Sequence, residues 1–195
     1  MRRPTFRHAL ALLLAPLCGT ALTALPAQAE PKSPAASTPV LFGSSNIELR
    51  VPRTGVTFAV CDWHEMEGET SGGSTTVYAQ SFIDCTTSFN LPVDFTVSGH
   101  WSQNTTGPTS DPGVDSVSIT DVSLTGVVPF GCTFTVTGGA PGTYDHLTAV
   151  MTLDPAAPDP GNVSLVASGV SGCSGLVANG DTFEWSGDYD VDPPL

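Results

Sequence analysis

The sequence predicts an all-β chain: an antiparallel β-sandwich of about ten strands, Ig-like or jelly-roll-like, held by two disulfides. Three observations lead there. Apolar residues alternate with Ser and Thr in short runs, and Gly or Pro breaks those runs at intervals of roughly 8 to 15 residues. Across the mature chain no stretch keeps apolar residues at the 3, 4, 7 spacing of a helix face over several turns. Four cysteines remain once the export signal is removed, an even number that reads as two bridges in an exported protein.

The first 29 residues carry that signal. Arg2, Arg3 and Arg7 give a basic start, Ala9 to Leu17 is almost wholly apolar, and Ala27-Gln28-Ala29 offers small residues around a cleavage point. Cys18 falls inside this segment, and Leu17 before it is too large for a lipid-attachment site. Cleavage leaves 166 of the 195 residues. It also removes three of the 6 basic residues and none of the 19 acids, so the formal net charge moves from −13 to −16. Such a surface repels phosphate, which excludes nucleic acid and anionic membrane as partners. Residues 30–45, rich in Pro, Ala and Ser, read as a flexible leader, with one β domain over 46–195.

Each strand has its own signal. Asn46 to Val51 and Gly55 to Cys61 alternate, Ser74 to Phe82 follows a Gly pair, and Val93 to Trp101 places Val93, Phe95 and Val97 on one face. Gln103 to Gly113 reads as a loop by composition. In Val114 to Val128 the apolar spacing is two, three, two, which predicts a bulge or bend near Asp121. Cys132 to Thr137, Tyr144 to Leu153, Val163 to Val170 and Thr182 to Val191 complete the set. Phe95-Thr96-Val97-Ser98-Gly99 resembles Phe134-Thr135-Val136-Thr137-Gly138, a short internal echo.

Of the three pairings open to Cys61, Cys85, Cys132 and Cys173, the sequential one is preferred: Cys61 with Cys85 and Cys132 with Cys173. The segments before Cys132 and Cys173 resemble each other, and each loop so closed is worth roughly 3 to 4 kcal/mol in the chain-entropy view. The cysteines lack the C-x-x-C or Cys/His spacing of a metal site.

The densest polar run is Cys61 to Glu69. Extended, it sets Asp62 and His64 on one face and Glu65, Glu67 and Glu69 on the other; near the C-terminus Asp188, Asp190 and Asp192 alternate with Tyr189 and Val191. These six carboxylates are the candidate calcium ligands. The plainer reading is a solvated strand face, since calcium takes six to eight oxygens, and for the last strand an acidic edge that resists unwanted pairing. His64, His100 and His146 come with no G-x-S-x-G and no strand-to-helix elbow, so no catalytic residue is expected. Trp63, Trp101 and Trp185 read as core or rim, with a stacking platform as the alternative.

The run Gly172 to Val191, with a Gly-Cys pair before the Gly180-Asp181 turn and a closing strand, resembles the C-terminal part of small secreted bacterial four-cysteine β proteins. Some of these are labelled activators of alkane oxidation. The order of the four cysteines and Leu91-Pro92 after the second fit as well; Val93 stands where that family often has tryptophan. The resemblance spans about residues 55 to 192 and implies export, a β fold and no catalytic residues.

Together these readings lead to a secreted, non-enzymatic extracellular or cell-envelope protein that associates with another protein or with the cell wall and needs no cofactor. The alternatives are a carrier of an apolar small molecule, held at the sandwich mouth or between the sheets, and a calcium-dependent adhesion module.

Overall fold

Alternation of small polar and apolar residues leaves this chain one way to bury its apolar atoms, on one side of extended strands. The computed structural model describes residues 37–159 and 161–195. In them ten strands follow one another, with no helix: β1 (Thr38–Val51), β2 (Val56–Ser71), β3 (Ser74–Thr86), β4 (Asp94–Val97), β5 (Trp101–Pro108), β6 (Val114–Val128), β7 (Cys132–Asp145), β8 (Val150–Leu153), β9 (Leu165–Ser171) and β10 (Thr182–Asp192). Every strand pairing is antiparallel.

The fold is sandwich-like, and its two layers belong to one sheet. Hydrogen bonds lead from β6 through β5, β3, β2, β1, β10, β8 and β7 and return to β6, because β6 and β7 also pair from Val114↔Asp145 to Val128↔Cys132. Two places in this ring of eight are shared. β4 and β5 lie end to end against β6, and β8 and β9 lie end to end between β7 and β10. Closure leaves the central strands without free edges, the usual route by which all-β proteins avoid sheet-to-sheet aggregation. An eight-stranded ring has an interior just wide enough for side chains to fill, and here Trp101, Trp185, Tyr144, Tyr189, Phe42 and Phe134 fill it.

Both disulfides form in the expected pairing. Cys61 and Cys85 face each other across β2 and β3, and Cys132 at the start of β7 is joined to Cys173 just after β9. The bend expected near Asp121 is present: Asp121 has φ 60°, and the β6–β7 register shifts between Ile119 and Val122. Val117, Ile119, Val122 and Leu124 are all buried, so the extra residue keeps the apolar side inward on both sides of the bulge.

Four expectations change. The leader over 30–45 ends earlier, because Thr38 to Ser45 is paired strand with Val40 and Phe42 buried; apolar Val40-Leu41-Phe42 outweighs the proline before it. The signal segment 1–29 lies outside the described residues. Val93 to Trp101 is two strands separated by a bend at Gly99 (φ 75°). Most of the expected loop from Gln103 is strand β5, whose Thr-rich outer side resembles loop composition while Trp101 and Gln103 point inward. Tyr144 to Leu153 likewise divides into the end of β7, a turn and β8.

The internal echo has a structural counterpart. Phe95 and Phe134 both stand opposite Gly126, and Val97 and Val136 both stand opposite Leu124, so the matching segments flank β6 in the same register. A Cβ on Gly126 would clash with the Phe134 ring at its Cζ edge. That ring is held by Phe58 at 4.9 Å edge-on and by Phe183 stacked at 5.7 Å. Gly126→Ala therefore overfills a site that cannot relax and is expected to cost about 2–3 kcal/mol in urea unfolding; a loss below about 0.5 kcal/mol would show that Phe134 has room to move.

Candidate functional site

The outer face of β2, β1 and β10 brings together the two acidic segments that lie far apart in sequence. β1 runs between the other two, and its register fixes what meets across it. Gly43 stands opposite Glu65 on one side and Asp190 on the other, and Leu41 stands opposite Glu67 and Asp192. Alternation then sends His64, Met66, Tyr189 and Val191 inward, all buried, and leaves the carboxylates outside. Asp62 departs from the expected face: it and Trp63 are both outward ahead of buried His64.

Aromatic and aliphatic groups share this face with the acids. The Trp63 ring lies over Gly43, whose Cβ position is 3.0 Å from it, and the indole remains 38% exposed. Trp63 pairs across the strands with Ile83, and Leu41 and Tyr78 are also exposed. Of the three tryptophans, then, Trp101 and Trp185 are core and Trp63 is at the surface. Plain alternation puts Trp63 on the same face as Glu65, Glu67 and Glu69, and that is the signal of its outward position.

Among the described residues Glu65, Glu67, Asp190 and Asp192 form no ion pair. Arg50 and Arg53 are the only Arg or Lys among the described residues, and both are engaged elsewhere. Arg50 reaches Glu184 at 3.5 Å. Arg53 donates from Nε and Nη2 to Asp181 at 2.6 and 2.8 Å, and also to the Gly175 carbonyl. Asp181 further accepts from the Ala178 N–H. The Arg53 guanidinium holds the Asp181 carboxyl below the usual carboxylate range, and the pair ties the turn before β2 to the turn before β10.

The six candidate calcium ligands do not converge on one point. Glu65, Glu67 and Glu69 stand two residues apart along one strand, roughly 7 Å per step, and Asp188, Asp190 and Asp192 lie two strands away, roughly 10 Å across. Among the described residues no three His, Cys, Asp or Glu side chains gather closely enough to hold one ion. The edge-guard role expected for the aspartates does not apply, since β10 is paired with β1 on one side and with β8 and β9 on the other.

The histidines separate by environment. His100 is exposed, and His146 meets Asp115 at 2.9 Å on the surface. His64 has no solvent exposure; its ring stacks on Phe82 at 4.0 Å, with Trp185 and Tyr189 at 5.4 and 5.6 Å. Its Nδ1 shares a 2.8 Å hydrogen bond with the Tyr189 hydroxyl, and Nε2 has no protein partner. Burial in this aromatic setting pushes the imidazole down to about 3 and raises the phenol well above its ordinary value. His64 is thus a neutral core residue sealed from substrate.

Comparison with protein-family models, with curated proteins and with solved structures found no match. No helix among the described residues is long and apolar enough to cross a membrane.

A lowered folded-state value means that the unfolded chain takes up the His64 proton first as pH falls. Stability from this group is therefore complete above about pH 6.5 and declines toward pH 3; at pH 4.5 the loss is about 3 kcal/mol. His64→Gln, which keeps a polar partner for Tyr189 but does not titrate, should flatten the urea-unfolding stability between pH 6.5 and 4.5 by about that amount. An unchanged slope would assign acid sensitivity to other groups, such as Asp181.

Proposed function

We propose that this chain is an exported, non-enzymatic protein that works by associating with another protein through its outer surface. One observation carries the reading: the interior is occupied by the chain's own aromatic side chains, while the outer face of β3, β2, β1 and β10 combines Glu65, Glu67, Asp190 and Asp192, which form no ion pair among the described residues, with exposed Trp63, Tyr78 and Leu41. Aromatic groups and unsatisfied charge on one rigid surface are what a protein partner recognises. The two disulfides favour an oxidising compartment, and the resemblance to secreted four-cysteine β proteins points the same way. The charge makes a protein a better partner than an anionic wall polymer.

The carrier reading has one observation in its favour. An apolar cleft at the β6–β7 tip is lined by Phe58, Phe89, Leu91, Phe130 and Leu176, and Phe130 is 93% exposed. Its volume of about 170 Å³ falls short of the roughly 300–1,000 Å³ of ligand pockets, which ranks it second.

Cross-linking of the mature protein in its native extracellular fluid, at low salt and again in about 1 M salt, tests the association. A discrete protein adduct that weakens in high salt is expected, as screening shortens the reach of surface charge to about 3 Å. Native mass spectrometry that instead finds a bound apolar molecule, with no adduct under either condition, would favour the carrier.

A further inference from the structure

Within the acidic face the geometry repeats. At one position Leu41 forms the floor, Glu67 and Asp192 stand on either side, and Tyr78 is the aromatic wall; with Pro39 and Pro193 they line an open groove of about 350 Å³. Two residues along β1, Gly43 replaces Leu41 as the floor, Glu65 and Asp190 replace the two carboxylates, and Trp63 lies over the glycine. One step of two residues in a strand is roughly 7 Å.

Tyr78 keeps the alternation of β3, in which Thr75 and Val77 are buried and Thr76 and Tyr78 exposed, and is itself 45% exposed. The register then shifts, Glu67 pairing with Ala79 and Gly68 with Val77, so that Tyr78 is the extra residue of a bulge beside Glu67. A Cβ on Gly68 would lie 2.7 Å from the Thr76 carbonyl oxygen, so the strands approach closely there. The ring of strands leaves β1 and β2 no free edge, so an incoming chain must be read by side chains across the face and not by strand addition.

We infer that this face docks an extended basic segment of a partner protein, with Arg or Lys at alternate positions, one cation in the Leu41–Tyr78 groove and the next over Trp63. The inference rests on the protein-association reading above and adds its partner chemistry. Charge complementarity selects the occupant: four carboxylates flank the two positions, and both arginines of the described residues are paired elsewhere. Each position also offers what the rest of a basic side chain needs, namely an aromatic face for the cation and, at Leu41, an apolar floor for its methylene stem. Alternate residues of an extended peptide repeat at the same spacing as the two sites.

The test uses the mature full-length protein and two acetylated, amidated peptides of identical composition, Gly-Ser-Arg-Thr-Arg-Ser-Gly and Gly-Ser-Arg-Arg-Thr-Ser-Gly, titrated calorimetrically at low salt. The alternating peptide is expected to bind about fivefold tighter than its isomer. The double variant Glu67→Gln/Asp192→Asn should lose about fivefold for it, and Tyr78→Ala a similar factor, with thermal melting confirming that each variant is folded. Asp111→Asn/Asp121→Asn removes the same charge in and before β6, on the opposite side of the ring, and should change affinity less than twofold. Equal affinity for the two peptides, or equal loss in the two double variants, would reduce the interaction to net charge and overturn the site. A native protein adduct found despite that result would leave the association reading standing on another surface.

Discussion

Pairing of β6 with β7 is the constraint on which the rest depends. Without it the ten strands form an open sheet with β4 and β9 as its ends; with it the apolar faces enclose one another and the polar faces form a continuous exterior. The long, bulged contact at Asp121 keeps Ile119 and Val122 on the same side of the sheet, so a single extra residue preserves closure where the strict period of two would have turned the apolar set outward. Gly126 in the same strand admits the Phe134 ring, and through that ring the Phe58 and Phe183 packing.

A closed, narrow interior has its own electrostatic cost. His64, Ser44 and Tyr189 lie in one row across β2, β1 and β10, and all three are buried. The one strong hydrogen bond among them joins His64 to Tyr189, and both groups are held neutral by burial. Polarity inside the ring is therefore tolerated as dipoles and not as charge. The consequence is a protein whose core favours neutral conditions while its surface, rich in ionised carboxylates, faces the solvent that stabilises them.

Alternation, turn residues and cysteine count made the strand number and the disulfide pairing legible, because those signals are local or follow from compartment. Closure was not legible: β6–β7 looks like any hairpin, and nothing in Val114 to Asp145 reveals that both its strands also join the far ends of the sheet. Register was equally hidden. Glu67 and Asp192 are separated by most of the chain, yet β1 places them on either side of Leu41. Their abundance among 19 acids made each uninformative alone. Alternation from Thr75 to Val77 sends Tyr78 outward, but the register that sets it beside Glu67 and Leu41 is not visible in β3 alone.

Low charge content and strong acidity coexist here because Ser and Thr, not paired ions, cover the outer faces of the strands. In a protein with many surface ion pairs, an exposed carboxylate is neutralised by its own neighbours and says little about partners. In this chain the two described arginines are fixed on Glu184 and Asp181, where the second ties two turns together. Glu65, Glu67, Asp190 and Asp192 have no ion-pair partner among the described residues, so the counter-ions around them are ones a cationic partner can displace. Rigid strands hold those carboxylates, Trp63 and Tyr78 in place before any partner arrives, so little ordering cost is left to the protein's side of the encounter. Net charge supplies long-range attraction for any basic segment, while the two-residue repeat along β1 supplies a spacing that only some segments match.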